Sequence, residues 1–261
     1  MDFPSALRQL SKTQKPARGV SVYTRYVNRP AGRLLAAAAH RMGLAPNHVT
    51  LVSALVTFAA VAATALLPPS PALGWWVALA LALGFALDSA DGQLARLHRS
   101  ASLSGEWMDH VVDCAKLLGV HAAVLISFHR FFALPCPALL LVPVAFQFAA
   151  VLLFFGGILT EQLGRRCPGA APGPVPPASP LRAVALLPVD YGLLCLVFLF
   201  LGHRTVFLAL YVALLAAHAV LLPAFLAKWF RELSRRTRTE SSGVSEHEDA
   251  RQVARIRTIT D

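Results

Sequence analysis

The sequence contains few charged residues and many apolar ones. Only 15% of its 261 residues are Asp, Glu, Lys or Arg, whereas 56% are hydrophobic. This composition excludes an ordinary soluble domain and fits a polytopic membrane protein. Acidic residues are the scarcest charged type, 14 against 24 Lys and Arg, so the formal net charge is +10. Because the basic residues flank apolar runs and form no patch of their own, we expect membrane lipids as partners and no nucleic acid.

Cysteine is also scarce. The 4 cysteines show neither the pairing pattern of a disulfide framework nor the spacing of a zinc site. We expect them to behave as small buried hydrophobic residues. The first 40 residues alternate charged and apolar positions and lack a continuous apolar core, so we predict no cleavable signal peptide.

Six long apolar runs account for most of the chain. Each has about 20 residues, the length of helix that crosses the hydrocarbon core of a bilayer. The runs are 49–67, 72–97, 105–128, 139–159, 181–201 and 206–225. We therefore predict an all-α integral membrane protein with six transmembrane helices and an N-terminal interfacial amphipathic helix.

The polar segments around these runs complete the predicted organisation. Residues 1–22 form a basic, loosely ordered N-terminal segment. Residues 23–45 form a juxtamembrane amphipathic helix whose arginines, Arg29 among them, face lipid head groups; the alternative is a soluble helix. Residues 46–229 form the six-helix membrane domain, and residues 230–261 form a charged, disordered cytoplasmic tail.

Four acids and an arginine lie where the second run ends and the third begins. The two segments read DSADGQLAR at 88–96 and GEWMDHVVD at 105–113. At about 100° per residue, one face of the first helix collects Asp88, Asp91, Gly92, Ala95 and Arg96. One face of the second collects Gly105, Asp109 and Asp113. Two such faces could close on one pocket, where carboxylate oxygens suit Mg²⁺ or Mn²⁺ and bridging carboxylates suit two ions.

The small residues and the arginine of these faces suit a phosphorylated ligand. Gly92, Ala95 and Gly105 remove side-chain bulk beside the acids, so a large ligand could lie against the backbone. Arg96 offers a fixed cation for a phosphate. A buried salt-bridge network is the alternative, but Arg96 and Lys116 are too few cations for four acids.

The spacing D-x2-D-G-x2-A-R-x8-G-x3-D-x3-D resembles the signature of the CDP-alcohol phosphotransferases, also called CDP-alcohol phosphatidyltransferases. The resemblance implies six membrane helices, two divalent ions, a homodimer, and transfer of a phosphoalcohol from a CDP-linked donor to an alcohol with release of CMP. It also implies that the metal ligands are Asp88, Asp91, Asp109 and Asp113, with Asp113 as the candidate catalytic base. The candidate CDP-binding residues are Gly92, Ala95, Arg96 and Gly105.

Three residues outside the signature are further site candidates. Asn47 and Thr50 belong to a Pro-Asn-x-x-Thr segment that is similar to the family pattern near the nucleotide, and helix capping is the equal alternative. Lys116 follows Asp113 by one turn on the motif face; it either contacts the acceptor alcohol or pairs with Asp113. Asp190 could also shape the acceptor pocket, although a snorkelling side chain is the favoured interpretation.

Lysine and arginine predict the orientation. The N-terminal segment, the loop after the second run, the loop before the fifth and the tail hold nearly all of them, whereas the opposite side holds only Arg130 and Arg204. The positive-inside rule therefore places both termini and the motif on the cytoplasmic side of a multi-pass protein of the cell (inner) membrane.

Three functions remain under comparison. The first is phosphatidyl transfer from CDP-diacylglycerol to an acceptor alcohol in phospholipid biosynthesis; a variant uses a soluble CDP-alcohol and a lipid acceptor. The second is an ion-coupled transporter that uses intramembrane carboxylates. This hypothesis predicts acids near the membrane midplane and does not explain the fixed spacing of Gly92, Ala95 and Arg96. The third, an inactive scaffold, has little support because the signature is complete. Phosphorylated acceptors are mildly disfavoured, since only Lys116 is well placed to bind them.

Overall fold

The computed structural model describes residues 3–12, 20–100, 102–166 and 180–260, of which residues 180, 182 and 237–260 are described by their backbone alone. The described residues form helices and no strand, which confirms the all-α prediction. The α-helices are α1 Phe3–Lys12, α2 Arg29–Arg41, α3 Pro46–Leu66, α4 Pro71–His98, α5 Leu103–Phe131, α6 Leu141–Arg165, α7 Pro180–Ala185, α8 Tyr191–Val197 and α9 Arg204–Thr260. A π-helical turn, Thr24–Asn28, precedes α2, and three short 3-10 turns are Pro137–Leu140, Leu187–Val189 and Phe198–Phe200.

Five segments of the described chain are long and apolar enough to cross a membrane as single helices. They are Pro46–Leu66, Pro71–His98, Leu103–Phe131, Pro137–Arg165 and Arg204–Arg236. A bent pair, Ala183–Val189 and Tyr191–Phe200, supplies a sixth span if it is counted as one. The structure therefore contains five to six spans, in agreement with the predicted runs, and the chain is a multi-pass membrane protein.

The fifth span is broken at Asp190. Its two parts meet at 56°. Pro188 lacks a backbone N–H and cannot continue a regular helix, and Asp190 then caps the next one by accepting a hydrogen bond from Gly192 N at 2.6 Å. The break therefore fixes where α8 begins, at Tyr191.

The N-terminal region is more helical than its sequence predicts. Helix α1 occupies part of the segment expected to be loosely ordered, and it packs against α2 and α4. Ala6 and Leu10, four residues apart, form its buried stripe. The π-helical turn before α2 widens the helix ahead of Pro30, whose ring would otherwise clash with the preceding turn.

Helix α2 packs closely on α4. A Cβ atom at Gly32 would lie 2.8 Å from Ser89 Cβ and 2.9 Å from Gln93 Nε2, so glycine is needed at this crossing. Ala36 and Ala37 continue the buried face. The small residues of α2 therefore press this helix against the part of α4 that carries the first half of the motif.

Helix α3 packs against both α4 and α5 and so joins the two halves of the motif. At the α3–α4 crossing, Ser53 Oγ donates a hydrogen bond to Gly84 O at 2.7 Å. Below the motif, an apolar core that includes Phe128, Phe146 and Tyr211 links the membrane helices of this unit. This packing holds the motif residues at defined positions.

The chain divides into two compact units, Met1–Val151 with Pro177–Ala219 and Leu152–Pro176 with Val220–Asp261. Every site residue named above lies in the first. In the second, Trp229 packs on Gly156, where a Cβ atom would lie 2.9 Å from the indole ring.

Helix α9 continues to Thr260, whereas the sequence predicts a disordered tail over 230–261. The segment after Pro223 contains no further proline and is rich in Arg, Glu and Ala, which are favourable in helices. Among the described cysteines, Cys195 is buried as expected, whereas Cys136 is exposed because it lies in a turn.

Candidate active site

Three carboxylates from two helices converge. Asp88 and Asp91 come from α4 and Asp109 from α5, and one oxygen of each lies within 4.8 Å of the others. Asp91 is buried, and the other two are half-buried. Carboxylates that are close together and partly desolvated repel one another unless a cation lies between them. Because divalent ions bind oxygen ligands at about 2.0–2.6 Å, oxygens at this separation fit one such ion.

A buried threonine orients the deepest carboxylate. Thr50 Oγ1 donates a hydrogen bond to Asp91 Oδ2 at 2.6 Å. Thr50 is only 3% exposed, so its hydroxyl lies away from solvent and beside the acids. The structure thus brings this candidate CDP-binding residue to the carboxylate cluster. Asn47, the other candidate from α3, lies near the start of α5, where a Cβ atom at Gly105 would be 3.3 Å from Asn47 Oδ1.

Lys116 joins the cluster to the fourth acid of the motif. Its Nζ lies 2.5 Å from Asp88 Oδ1 and 3.1 Å from Asp113 Oδ1. A buried ammonium group is stable only when carboxylates or other acceptors surround it, and here two carboxylates do so. The prediction that Lys116 pairs with Asp113 is confirmed, and Asp88 is a second partner that the sequence spacing alone did not indicate. Contact between Lys116 and the acceptor remains a prediction.

A pocket of about 160 Å³ opens beside the three carboxylates. Its lining residues are Arg29, Asp88, Ser89, Asp91, Gly92, Gln93, Arg96 and Asp109. A space of this size holds several water molecules or a phosphate group. Two arginines and three carboxylates therefore border one small polar space.

Arg96 and Gly92 both favour a ligand in this space. Arg96 Nε is buried and has no hydrogen-bond partner among the residues that the structure describes, so it requires an acceptor from outside them. A Cβ atom at Gly92 would approach only Arg96 Nη1, at an ordinary contact distance of 3.6 Å. The space above Gly92 is therefore free for a ligand.

Five of the predicted site residues meet in this pocket: Asp88, Asp91, Gly92, Arg96 and Asp109. The other predicted residues lie outside its described lining: Asn47, Thr50, Ala95, Gly105, Asp113 and Lys116. The pocket therefore corresponds to the carboxylate cluster and the arginine, whereas Asp113 and Lys116 lie to its side.

Arg29 is the main site residue that the sequence pattern misses. Its segment predicts that Arg29 faces lipid head groups, yet this residue lines the pocket because the Gly32 crossing turns this face of α2 toward α4. Gln93 Nε2 donates a hydrogen bond to Arg29 O at 3.1 Å and fixes the backbone. Burial, together with the charge of Arg25, lowers the pKa of the Arg29 guanidinium from its ordinary value, although arginine remains charged at neutral pH.

The spacing between Arg29 and Gly32 indicates that Arg29 faces protein. Arg29 precedes Gly32 by three residues, so both lie on the same face of α2. A glycine with alanines one turn further along the same face, as Gly32 has in Ala36 and Ala37, is typical of a face that packs closely against another helix. An arginine on such a face is directed toward protein and away from lipid.

The comparison with protein families agrees with this geometry. The model of the CDP-alcohol phosphatidyltransferase family matches residues 43–222, which comprise α3 to α8 and the first part of α9. The matched region contains both halves of the motif and excludes α1 and α2, with Arg29. No curated protein matches the chain. Because the family match covers more than half of the chain and includes the converging carboxylates, the chain belongs to the CDP-alcohol phosphatidyltransferase family.

Proposed function

We propose that the chain transfers a phosphatidyl group from CDP-diacylglycerol to an acceptor alcohol in phospholipid biosynthesis and releases CMP. Membership of the family supports the coarser statement that it is a transferase acting on a CDP-linked alcohol. The observation that carries the proposal is the pocket in which Arg29 and Arg96 accompany three carboxylates. A diphosphate bound through divalent cations needs such a combination, with acids for the metal and guanidinium groups for the phosphate oxygens.

The carboxylates would hold Mg²⁺ or Mn²⁺. Asp88, Asp91 and Asp109 suit the first ion, and Asp113 is the candidate ligand of a second, beside Asp88. When bound, the metal neutralises negative charge on the diphosphate and on the departing CMP. Thr50 directs one oxygen of Asp91, because its hydroxyl donates to the other.

The remaining residues act on the donor. Arg96, with its unpartnered Nε, binds the diphosphate, and Arg29 binds it from α2. Gly92 leaves room for the nucleotide, and we assign Ala95, Gly105 and Asn47 to the surface along which it extends. These assignments combine the family resemblance with the open space above Gly92.

Asp113 acts on the acceptor. The acceptor hydroxyl gives its proton to Asp113 while its oxygen bonds to the phosphorus that carries diacylglycerol. The bond from that phosphorus to the oxygen of CMP breaks, and CMP leaves with the bonding electrons. Lys116 holds Asp113 and Asp88 together, so the base and the metal cluster keep a fixed separation.

The position of the acids along the helices favours an enzyme over a transporter. Asp91 lies about 10 Å before the end of α4 and Asp109 about 9 Å after the start of α5, at 1.5 Å per residue. Both are therefore near one end of their helices, whereas transporter sites lie near the midplane. The positive-inside rule assigns that end to the cytoplasm, and a homodimer follows from the family resemblance.

The decisive experiment measures CMP release by the purified protein in lipid nanodiscs. CDP-diacylglycerol or a soluble CDP-alcohol is the donor, candidate alcohols and lipids are the acceptors, and Mg²⁺, Mn²⁺ or EDTA is added. We expect metal-dependent release from CDP-diacylglycerol, with a lipid product identified by mass. Asp91→Asn should reduce release about 100-fold or more, since it removes a charged ligand of the metal.

Glu161→Gln is the matched control, because Glu161 is an exposed acid that pairs with Arg165 one turn along the same helix. This control should retain parental activity. Equal release by Asp91→Asn and the parent, or release that is unaffected by EDTA, would contradict the proposal. Release of CMP from the soluble CDP-alcohol alone would show that the donor is soluble, and the proposed transfer reaction would still hold.

A further inference from the structure

The break in the fifth span brings a tyrosine hydroxyl to the acid-rich side of the site. Tyr191 is the first residue of α8, directly after the bend at Asp190. The residue is half-buried, but its hydroxyl oxygen is fully buried and has no hydrogen-bond partner among the residues that the structure describes. Helix α8 packs on α4, where the Tyr191 ring contacts Phe85, one helical turn before Asp88. Buried hydroxyl groups normally have a partner, so this one indicates a ligand from outside the described residues.

The ring of Tyr191 is fixed in this orientation. It packs edge-to-face on Phe85, with ring centroids 5.2 Å apart, and Phe85 lies one turn before Asp88 on α4. Phe85 in turn stacks with Tyr23 at 6.4 Å. The ring of Tyr23 also occupies the space that a Cβ atom at Gly192 would need. The phenol therefore has little freedom to turn its hydroxyl toward another partner.

Asp190 fixes the backbone beneath Tyr191. Its carboxylate accepts hydrogen bonds from Ser21 Oγ, from Thr24 Oγ1 at 2.6 Å and from Gly192 N at 2.6 Å. Asp190 is thus a structural residue of the α8 start and no snorkelling side chain. Three donors on one carboxylate hold the segment that aims Tyr191.

The charges around Tyr191 restrict the class of ligand. Lys116 is the only lysine or arginine paired with Asp88 or Asp113 within the described part of the chain, and its ammonium group is shared by both carboxylates. Because Lys116 already shares its ammonium group between two carboxylates, it has no charge left for a phosphate or carboxylate group of the acceptor. A neutral hydroxyl group fits, because it can donate to a carboxylate and exchange a hydrogen bond with the phenol.

We propose that Tyr191 binds the acceptor by a hydrogen bond to one of its hydroxyl groups, and that the acceptor is an uncharged alcohol or polyol where it meets Asp113 and Tyr191. The inference rests on the proposed function and specifies the acceptor class. Tyr191 supplies recognition of the acceptor, whereas Arg29 and Arg96 bind the donor. The acceptor thereby keeps its reacting hydroxyl beside Asp113.

Tyr191→Phe tests this assignment because it removes only the oxygen atom. With CDP-diacylglycerol and Mg²⁺, the acceptor probes are glycerol and myo-inositol as neutral polyols, and glycerol 3-phosphate and serine as charged alcohols. We expect wild-type protein to use a neutral polyol best. Tyr191→Phe should raise the KM of that polyol about tenfold, as for the loss of one hydrogen bond, with the donor KM unchanged. The Tm without substrate should not fall, since the hydroxyl has no hydrogen-bond partner among the described residues.

Tyr26→Phe is the matched control, because Tyr26 is 64% exposed and remote from the motif in sequence. It should leave both KM values unchanged. An unchanged acceptor KM in Tyr191→Phe, a lowered Tm of its substrate-free form, or better use of the charged alcohols by the wild type would each overturn the inference while CMP release continues. Absence of CMP release by the wild type with every probe would overturn the proposed function and this inference together.

Discussion

Removal of the Lys116 ammonium group is the sharpest test of how the site is held together. Lys116→Met keeps most of the side-chain volume but leaves Asp88 and Asp113 without their cation. Removing one partner of a buried ion pair costs about 3–5 kcal/mol. The exposed side-chain fractions are 7% for Lys116, 18% for Asp88 and 25% for Asp113. Because solvent reaches the two acids, we expect the loss of unfolding free energy to lie near the lower limit of this range.

A loss of about 3 kcal/mol corresponds to a Tm lower by about 6–12 °C for a protein of this size. The assay is thermal unfolding of the purified protein in EDTA and again in Mg²⁺. The freed carboxylates should bind the cation more tightly, so Mg²⁺ should raise the Tm of Lys116→Met more than that of the wild type. Lys228→Met removes an exposed lysine and should change neither value.

Two results would refute this reasoning. A Tm of Lys116→Met equal to that of Lys228→Met would show that the buried ion pair contributes nothing to the folded state. An equal Mg²⁺ effect in both variants would show that Lys116 and the metal do not share Asp88. The acceptor KM of Lys116→Ala, measured apart from the donor KM, tests the other hypothesis for this residue, and an unchanged value would exclude a role in acceptor binding.

Two further predictions concern the neighbours of the carboxylates and the donor phosphates. Thr50→Val should weaken Mn²⁺ binding about tenfold, because Asp91 loses the donor that orients it. Thr64→Val is the control, since the Thr64 hydroxyl donates within its own helix, and it should leave Mn²⁺ binding unchanged. Equal Mn²⁺ titrations of the two variants would contradict this role of Thr50. Arg29→Ala should raise the donor KM about tenfold with little change in acceptor KM, since a charged hydrogen bond to phosphate is lost. The exposed Arg41→Ala is its control, and a parental donor KM in both variants would remove Arg29 from the site.

The membrane helices and the carboxylate cluster were predictable from the sequence for physical reasons. Apolar runs of bilayer length predict spans without any knowledge of their partners. Helical periodicity places Asp88 and Asp91 on one face, and the short connection between α4 and α5 brings Asp109 to the same end. Such features depend on local spacing, which the sequence displays directly.

The contributions of Arg29 and Tyr191 depend on contacts between distant parts of the chain and were not predictable in this way. Arg29 reaches the pocket because Gly32 packs on α4, a contact that composition does not reveal. In the sequence, Tyr191 is one aromatic residue within an apolar run. Its special position depends on the break in the helix at Pro188 and Asp190. Helix α1, by contrast, has a local signal, because Phe3, Ala6, Leu7 and Leu10 have the i, i+3, i+4, i+7 spacing of an amphipathic helix and pack in one cluster.

The hydrogen bonds from Ser21 and Thr24 to Asp190 have a consequence for biogenesis. Ser21 precedes Asp190 by 169 residues, so the N-terminal partner is made long before its acceptor. At about 5–20 residues per second of translation, the interval is roughly 10–30 s. Throughout that time the segment that leads into Arg29 lacks this anchor, because the chain still has to deliver the fifth span to the bilayer. A nascent chain arrested before Asp190 should therefore already contain the three clustered acids but hold its juxtamembrane arginine more loosely than the finished protein does.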